Sequence, residues 1–259
     1  MTVGYNEQRF EFLGLYFHNF IMEEALRCLE EFITRKEPRM VFTPTAELIV
    51  QARKNAWLQR IYNSSDLLLI DSFVVYYFAR ISGKPVRAPV SAARLMLNFL
   101  PLANRKGYHI YLLGATEEVV TKTVEVIKNK FPRIHIAGWH NGYFDIDRCP
   151  EVINDIKRKR VDVLFVGMSS PFKERFISQY YKKIGVPVSI GVGGTFDIIA
   201  GKCKLAPSWV SRLGIEWLYR LLQEPRRLYK RYLFTNTWFV ILWLKNLLIS
   251  TEEQRGGKI

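Results

Sequence analysis

The stretch 161-VDVLFVGMSSPFKE-174 decides the fold of this chain. Five of its first seven residues are apolar with little alternation, which predicts a strand buried on both faces of a parallel sheet. Two serines and Pro171 follow, and they predict an N-cap and a helix that begins at Pro171. Ligands bind at the carboxyl ends of such strands. Lys173 and Glu174 are therefore expected at a ligand crevice, unless they are the solvated charges of an ordinary strand–helix turn.

Alternating strands and helices extend this pattern along the chain. Further strands are predicted at Phe10–Phe17, Arg39–Phe42, Asp66–Ile70, Tyr108–Leu113, Ile134–Ala137 and Val186–Val192. Helices are predicted at Ile21–Ile33, Ala46–Asn55, Ser72–Ser82, Ala92–Asn104, Glu117–Lys130, Glu151–Lys159 and Pro171–Lys183. This order predicts an α/β fold with a doubly wound, mostly parallel, Rossmann-like sheet.

Length and composition narrow the class of protein. A chain of 259 residues with 49% hydrophobic residues can bury a large core and is not a disordered protein. Its net charge of +14 predicts a polyanionic partner: nucleic acid, an anionic membrane or phosphorylated substrates. Three widely spaced cysteines without a CxxC pair suggest neither a disulfide framework nor a zinc site. No signal peptide is apparent after Met1, so a cytoplasmic location is expected.

The C-terminal segment has a different character from Pro207 onward. Four of the six tryptophans lie between Trp209 and Ile249, among many arginines. Arg220, Arg227 and Arg231 would form one cationic stripe on a continuous helix, which Pro225 would kink or divide. We therefore divide the chain into an α/β core (1–206), a basic amphipathic appendage (207–250) and a disordered tail (251–259).

The apolar run 238-WFVILWLKNLLI-249 is too short to span a bilayer, which takes roughly 20 residues. It predicts a helix in the membrane interface, where Trp238, Phe239, Trp243 and Leu244 would contact lipid and basic residues would meet anionic headgroups. The alternative is a core helix or an oligomer contact. Aromatic and basic residues interleave only in this segment, whose apolar run favours a membrane over nucleic acid.

Two weaker motifs point to other chemistry. The glycines of 191-GVGGTFD-197 suggest a dinucleotide fingerprint, but the third glycine and an acidic residue ~20 positions later are missing, so a nicotinamide enzyme is disfavoured. Asp145 and Asp147 resemble the two-carboxylate metal motif of some sugar-nucleotide transferases. Solvated loop acids are the preferred interpretation of that pair.

Several stretches, taken in order, resemble the WecG/TagA/CpsF glycosyltransferases. They are TPTAELI (43–49), the strand ending at Asp71, NGYF (141–144), GMSSPFKERFI (167–177), GVGGTFDIIAGK (191–202) and LAPSWVSRLGIEWLYRLLQEPRRLYKRY (205–232). The resemblance implies a metal-independent, inverting glycosyltransferase without a cofactor. It would transfer a hexose, typically N-acetylmannosamine, from a UDP-sugar to a polyprenyl-diphosphate-linked amino sugar in cell-surface polysaccharide synthesis.

The resemblance also implies partners and a location. The expected partners are the UDP-sugar donor, the lipid-linked acceptor and an anionic membrane surface, with no nucleic acid. The protein would then be peripheral on the cytoplasmic face of the cell membrane. Whether it forms a homo-oligomer is left open.

The same resemblance implies roles for individual residues. Asp71 matches the general base, Thr43 and Tyr143 match substrate-pocket positions, and Arg220 with Arg227 match arginines that reach over the diphosphate. The further expected substrate-binding positions are Thr45, Arg87, Lys173, Glu174, Gly193, Asp197 and Arg231. The alternative for Asp71 is a helix N-cap without chemistry.

The departures from the family pattern fall at pocket positions. Thr45 replaces the usual Asn, Ser72 replaces Gly, and the loop of Arg87, which normally ends in Pro-Gly, reads Ala88-Pro89-Val90. The usual PKQE motif reads PFKE, so Lys173 puts a cation where a neutral amide is expected to contact the donor. These changes predict a transferase with another donor or acceptor, or a non-catalytic membrane-bound relative that is a partner in the same pathway.

Overall fold

A computed structural model describes residues 9–226, 229 and 237–248. The strands are β1 (Arg9–Phe12), β2 (Leu15–His18), β3 (Arg39–Phe42), β4 (Leu67–Leu68), β5 (His109–Gly114), β6 (His135–His140), β7 (Val163–Gly167) and β8 (Val188–Gly191). The first helices are α1 (Met22–Arg35), α2 (Ala46–Lys54), α3 (Ala56–Asn63), α4 (Phe73–Ile81), α5 (Ala92–Lys106) and α6 (Glu117–Lys130). Then come α7 (Pro150–Arg158), α8 (Phe172–Ile184), α9 (Thr195–Ile199), α10 (Ser208–Arg212), α11 (Glu216–Gln223), a short 3-10 helix at Ile146–Arg148 and a helix at 237–248.

Six strands form one parallel sheet in the order β4-β3-β8-β7-β5-β6. The chain first forms β3 and β4 at one end of the sheet and then β5 and β6 at the other end. Strands β7 and β8 follow and fill the centre. Helices cover both faces, so the predicted doubly wound α/β fold is confirmed. All six strands therefore direct their carboxyl ends to one edge of the sheet.

The burial of strand β7 explains why apolar and polar residues do not alternate in its sequence. Its five residues are all buried, with Leu164 and Val166 in one core and Val163 and Phe165 in the other. The first core lies under α2, α3, α4, α7 and α8, and the second lies under α1, α5 and α6. A strand covered on both faces needs an apolar side chain at every position.

Two glycines lie in close contact at the ends of the central strands β5 and β7. Gly114 and Gly167 are register partners at the carboxyl ends of β5 and β7. A Cβ on Gly114 would lie 2.4 Å from the Gly167 carbonyl carbon, and Gly114 has a φ of 138°. Only glycine fits there. The pair leaves the following loops close together at the edge where the candidate site forms.

Three predictions about elements need correction. The single strand predicted at Phe10–Phe17 is the antiparallel hairpin β1–β2, which turns at Gly14 with a φ of 80°. Helix α3 was not predicted, and it begins because the Asn55 side chain accepts hydrogen bonds from the Trp57 and Leu58 N–H groups. The strand predicted at Asp66–Ile70 pairs over two residues only.

The helix at 237–248 packs against α4. Phe239 is 1% exposed and meets the Phe78 ring edge-on, and Trp243 Nε1 donates to Ser82 Oγ at 2.7 Å. The predicted lipid contact is therefore wrong for Phe239, whose side chain completes the core. Trp238 and Leu244 remain exposed. Within the described ranges, no helix combines the length and the apolar character needed to cross a membrane.

Candidate active site

Asp71 lies just beyond β4, at the edge where the parallel strands end. Its Oδ1 accepts a hydrogen bond from Thr43 Oγ1 at 3.1 Å and another from the Ala92 N–H at 3.2 Å. Thr43 directly follows β3, and Ala92 is the first residue of α5. Two loops and a helix therefore fix the carboxylate. Its Oδ2 receives no hydrogen bond from the described residues.

Asp71 does not cap the helix that follows it. The N-cap of α4 is Ser72, whose side chain makes no capping hydrogen bond, and Asp71 bonds the first N–H of α5 instead. Ser91 already caps α5 by accepting from the Arg94 N–H. The N-cap alternative is therefore wrong for α4, but the carboxylate does accept the first N–H of α5, and its role as a general base stays a prediction.

The surroundings of Asp71 raise its pKa from the ordinary value of 3.8 to about 6. Burial is the largest cause, and the nearby carboxylate of Glu216 adds to it. The positive charge of Arg220 and the hydrogen bonds from Ala92 and Thr43 act in the opposite direction. A carboxylate that binds a proton near neutral pH is suited to general base work, and perturbed groups of this kind are typical of active sites.

Helices α10 and α11 bring Glu216 and Arg220 to this edge. Arg94 Nη2 of α5 donates to the Ala206 carbonyl at 3.1 Å and to Ser211 Oγ at 3.0 Å, and the Tyr77 hydroxyl donates to the Arg212 carbonyl. These bonds fasten the start of the basic segment to α4 and α5. Arg227 and Arg231 lie outside the described residues, so their predicted roles stay predictions.

Lys173 and Glu174 form a buried cluster in the first turn of α8. Glu174 Oε1 lies 2.7 Å from Lys173 Nζ and accepts hydrogen bonds from Tyr62 (2.9 Å) and Ser170 (3.0 Å). Both charged side chains are almost completely buried. They are therefore not the solvated charges of an ordinary turn.

The predicted serine N-cap of α8 is wrong. Pro171 occupies the N-cap position and α8 begins at Phe172, without a side-chain capping bond. Ser170 instead donates its hydroxyl to Glu174 and is also contacted by Lys173. The Ser170 hydroxyl thus serves the buried ion pair through Glu174 Oε1, whereas Glu174 Oε2 is buried without a hydrogen-bond partner among the described residues.

Two further predicted site residues, Thr45 and Arg87, have side-chain partners in the structure, and for Asp197 and Gly193 the structure shows main-chain features. Thr45 caps α2 by accepting from the Leu48 N–H at 3.5 Å. Arg87 donates to the Asn19 carbonyl at 3.0 Å and contacts the Glu24 carboxylate at the start of α1. The main-chain carbonyl of Asp197 accepts from the Lys202 N–H at 2.9 Å, and Gly193 adopts a φ of 51° in the turn after β8.

Tyr143 is the most exposed of the predicted pocket residues that the structure describes. The residue is 77% exposed and lies in the loop between β6 and the 3-10 helix. The loop is held over the central strands because the Gly142 N–H donates to the Ala115 carbonyl at 2.9 Å. The structure thus brings Thr43, Asp71 and Arg220 together, while Arg87 and Lys173 are engaged elsewhere.

The carboxylates of Asp145 and Asp147 have structural partners. Asp145 accepts from the Asp147 N–H at 3.0 Å, which caps the 3-10 helix, and Asp147 pairs with Arg175 through both oxygens at 2.7 and 2.6 Å. Within the described part of the chain, no three His, Cys, Asp or Glu side chains are placed to hold one metal ion.

Sequence reasoning missed Glu216 and the contact that Ala92 makes with Asp71. The i,i+4 spacing of Glu216 and Arg220 in the EWLYR stretch was a usable signal, because such pairs meet on one helix face. The approach of Glu216 to Asp71 had no local signal. It depends on where α11 docks, which a single sequence does not reveal.

Comparisons with known proteins show which family this chain is similar to. The model of the glycosyl transferase WecG/TagA/CpsF family matches residues 10–253. Three similar proteins are each named N-acetylglucosaminyldiphosphoundecaprenol N-acetyl-beta-D-mannosaminyltransferase. The one from Bacillus spizizenii strain W23 is 32% identical over 228 residues, covering 88% of this chain and 87% of the relative. The one from Bacillus subtilis strain 168 is 34% identical over 198 residues (76% and 77%), and the one from Staphylococcus aureus strain MW2 is 28% identical over 225 residues (86% and 88%).

Proposed function

The chain belongs to the WecG/TagA/CpsF glycosyltransferase family, and we propose that it transfers a hexose from a UDP-sugar to a polyprenyl-diphosphate-linked sugar. The observation that carries the proposal is Asp71, a fixed carboxylate with a pKa of about 6 at the carboxyl edge of the sheet, near Arg220. The names of the relatives make N-acetylmannosamine the first donor sugar to test and an N-acetylglucosaminyl lipid the first acceptor.

In the proposed reaction Asp71 removes a proton from the acceptor hydroxyl. That oxygen bonds to the anomeric carbon of the donor while the bond from this carbon to the diphosphate oxygen breaks. One displacement of this kind inverts the anomeric configuration. Oδ1 of Asp71 accepts hydrogen bonds from Thr43 and Ala92, and Oδ2, which accepts none from the described residues, is the oxygen proposed to take the proton.

The departing UDP carries negative charge that must be stabilised. Arg220 is a described cation whose charge acts on Asp71, and its side chain is 44% exposed. Arginine suits a diphosphate because its planar fork donates two parallel hydrogen bonds. Arg227 is proposed as a second such residue. In this proposal protein cations, rather than a metal, meet the leaving group.

The substrate lipid also gives a role to the residues from 207 to 250. A polyprenyl acceptor stays in the bilayer, so the crevice must reach the headgroups. We propose that this segment is a functional appendage that contacts an anionic membrane surface. The net charge of +14 and the exposed side chains of Trp209 and Leu222 support the proposal.

The direct test is turnover by the purified full-length protein. UDP-N-acetylmannosamine and other UDP-hexoses are offered with a short-chain N-acetylglucosaminyl-diphosphate lipid, and products are identified by mass spectrometry. We expect one donor to give a product whose anomeric configuration is inverted, with the rate unchanged by EDTA. No turnover with any donor would favour the alternative of a non-catalytic relative, and loss of turnover in EDTA would overturn the metal-free reaction.

A further inference from the structure

Glu216 connects Arg220 to helices α10 and α5. Its Oε1 lies 3.6 Å from Arg220 Nη2, one helical turn away on α11. Its Oε2 accepts a hydrogen bond from Ser211 Oγ at 3.0 Å, and Ser211 Oγ accepts one from Arg94 Nη2 at 3.0 Å. A continuous polar chain therefore runs from α5 through α10 to the guanidinium of Arg220.

The same carboxylate is a like charge for Asp71 and raises its pKa. Among the described residues, Glu216 and Arg220 of α11 are the charged groups that act on Asp71, with opposite effects on its pKa. The loop after β3 contributes the Thr43 hydroxyl, α5 contributes the Ala92 N–H, and Arg94 is directed to Ser211 and Ala206. An acidic side chain near a carboxylate base is unfavourable by itself. Its second contact, to Arg220, gives it a function.

We propose that Glu216 is a positioning residue of the transfer reaction, which holds the Arg220 guanidinium at the sheet edge and sets the charge balance around Asp71. The inference rests on the proposed function, because it assigns Arg220 to the diphosphate. A long, partly exposed arginine samples many rotamers unless something fixes it. Glu216 limits those rotamers, and the Arg94–Ser211 chain limits the position of Glu216. Precise placement of this kind is what a charged clamp needs.

The first test measures UDP binding and requires no turnover. Glu216→Gln keeps an oxygen for Ser211 but loses the charge that holds Arg220. By isothermal titration calorimetry, we expect this variant to bind UDP about 3- to 10-fold more weakly. Arg220→Ala should lose at least as much, and the double variant should be no weaker than Arg220→Ala alone. Unchanged affinity in Glu216→Gln, or losses that multiply in the double variant, would overturn the inference.

Controls separate positioning from general destabilisation. Glu118 of α6 forms an exposed ion pair with Lys202. Glu118→Gln removes a carboxylate from that pair, and this variant should bind UDP as the wild type does. Thermal unfolding shows whether each variant is folded. If Glu216→Gln folds poorly, Arg220→Gln tests the same contact from the other partner, and wild-type UDP affinity in that variant would overturn the assignment.

The second test is the pH dependence of turnover, which a purely structural role would not change. Removing the negative charge of Glu216 lowers the pKa of Asp71, so the acid limb of kcat should move to lower pH in Glu216→Gln. A fixed acid limb contradicts the charge-balance part of the proposal. If the wild type shows no turnover with any donor, the proposed function fails, while the UDP binding comparison still decides the role of Glu216.

Discussion

The ionisation of Asp71 is controlled by its burial and by groups from the loop after β3, from α5 and from α11. Its position after a buried apolar strand predicted a place at the ligand edge, and the resemblance predicted its role. Its partners could not be predicted locally. Ala92 is 21 residues away along the chain, and Glu216 follows α10, which is hydrogen-bonded to Tyr77 of α4 and Arg94 of α5. The type and place of the group follow from local pattern, whereas its proton affinity follows from tertiary packing.

The raised pKa of Asp71 predicts an acid limb in the turnover profile. The base works only when ionised, so kcat should fall as the pH drops through about 6, the pKa that burial and Glu216 produce. The fall should approach tenfold per pH unit below that point. Initial rates across pH 4.5 to 8.5, at saturating substrates, measure it.

Two threonines in one loop provide a matched check. The hydrogen bond from Thr43 lowers the pKa of Asp71. Thr43→Val removes that bond, so the pKa should rise and the acid limb should move to higher pH. Thr45→Val removes only the α2 cap, which should cost about 1 kcal/mol of unfolding free energy and leave the acid limb in place. An acid limb that ignores Thr43→Val would mean that another group controls it.

At the scale of elements, the sequence predicted best where one physical requirement dominates. Strand β7 is covered on both faces, so its uniform apolar run had one interpretation. The hairpin β1–β2 was misread as one strand because apolar residues continue through a turn that only the left-handed φ of Leu13 and Gly14 reveals. Helix α3 was missed because Asn55 both ends α2 and begins α3.

The first turn of α8 gives a prediction about stability. Lys173→Gln leaves the Glu174 carboxylate buried without its cation, and Glu174→Gln leaves the lysine likewise. Each single variant should lose about 3–5 kcal/mol of unfolding free energy in urea, since breaking a buried pair costs that much. The double variant should lose clearly less than the sum.

Donor affinity, measured on the same proteins, tests the earlier expectation that Lys173 contacts the donor. A lysine fully engaged by Glu174 should affect UDP-sugar binding little in folded Lys173→Gln. A loss of about 1.5–3 kcal/mol in binding, without any loss in stability, would instead return Lys173 to the donor site.

At the scale of the whole molecule, charge and exposed apolar surface point to the membrane proposal. Sequence predicted the basic amphipathic character of the C-terminal segment but not which side chains face outward. Phe239 is buried and Trp243 is bonded to Ser82, whereas Trp209, Leu213 and Leu222 are more than half exposed. A helical run of large apolar residues does not say which face a neighbouring helix will cover.

Vesicle binding tests this assignment. Replacing Trp209 and Leu222 with Ser together should weaken sedimentation with phosphatidylglycerol-containing vesicles at least tenfold while the thermal unfolding temperature stays the same. Phe239→Ala is the contrasting variant, because emptying a core site should cost about 3–5 kcal/mol of stability and leave those exposed contacts intact. Full vesicle binding by the Trp209 and Leu222 variant would remove this surface from the proposal.

The most direct test of the central claim is the turnover number of Asp71→Asn beside the wild type. The amide keeps the shape and an oxygen for Ala92 but cannot take the acceptor proton, so kcat should fall by about 10² to 10⁴ while UDP affinity stays within about twofold. The raised pKa of Asp71 means that its ionised form destabilises the folded state at pH 8. Asp71→Asn removes that charge, so the variant should unfold no more easily than the wild type at pH 8. Turnover within twofold of the wild type would contradict the account.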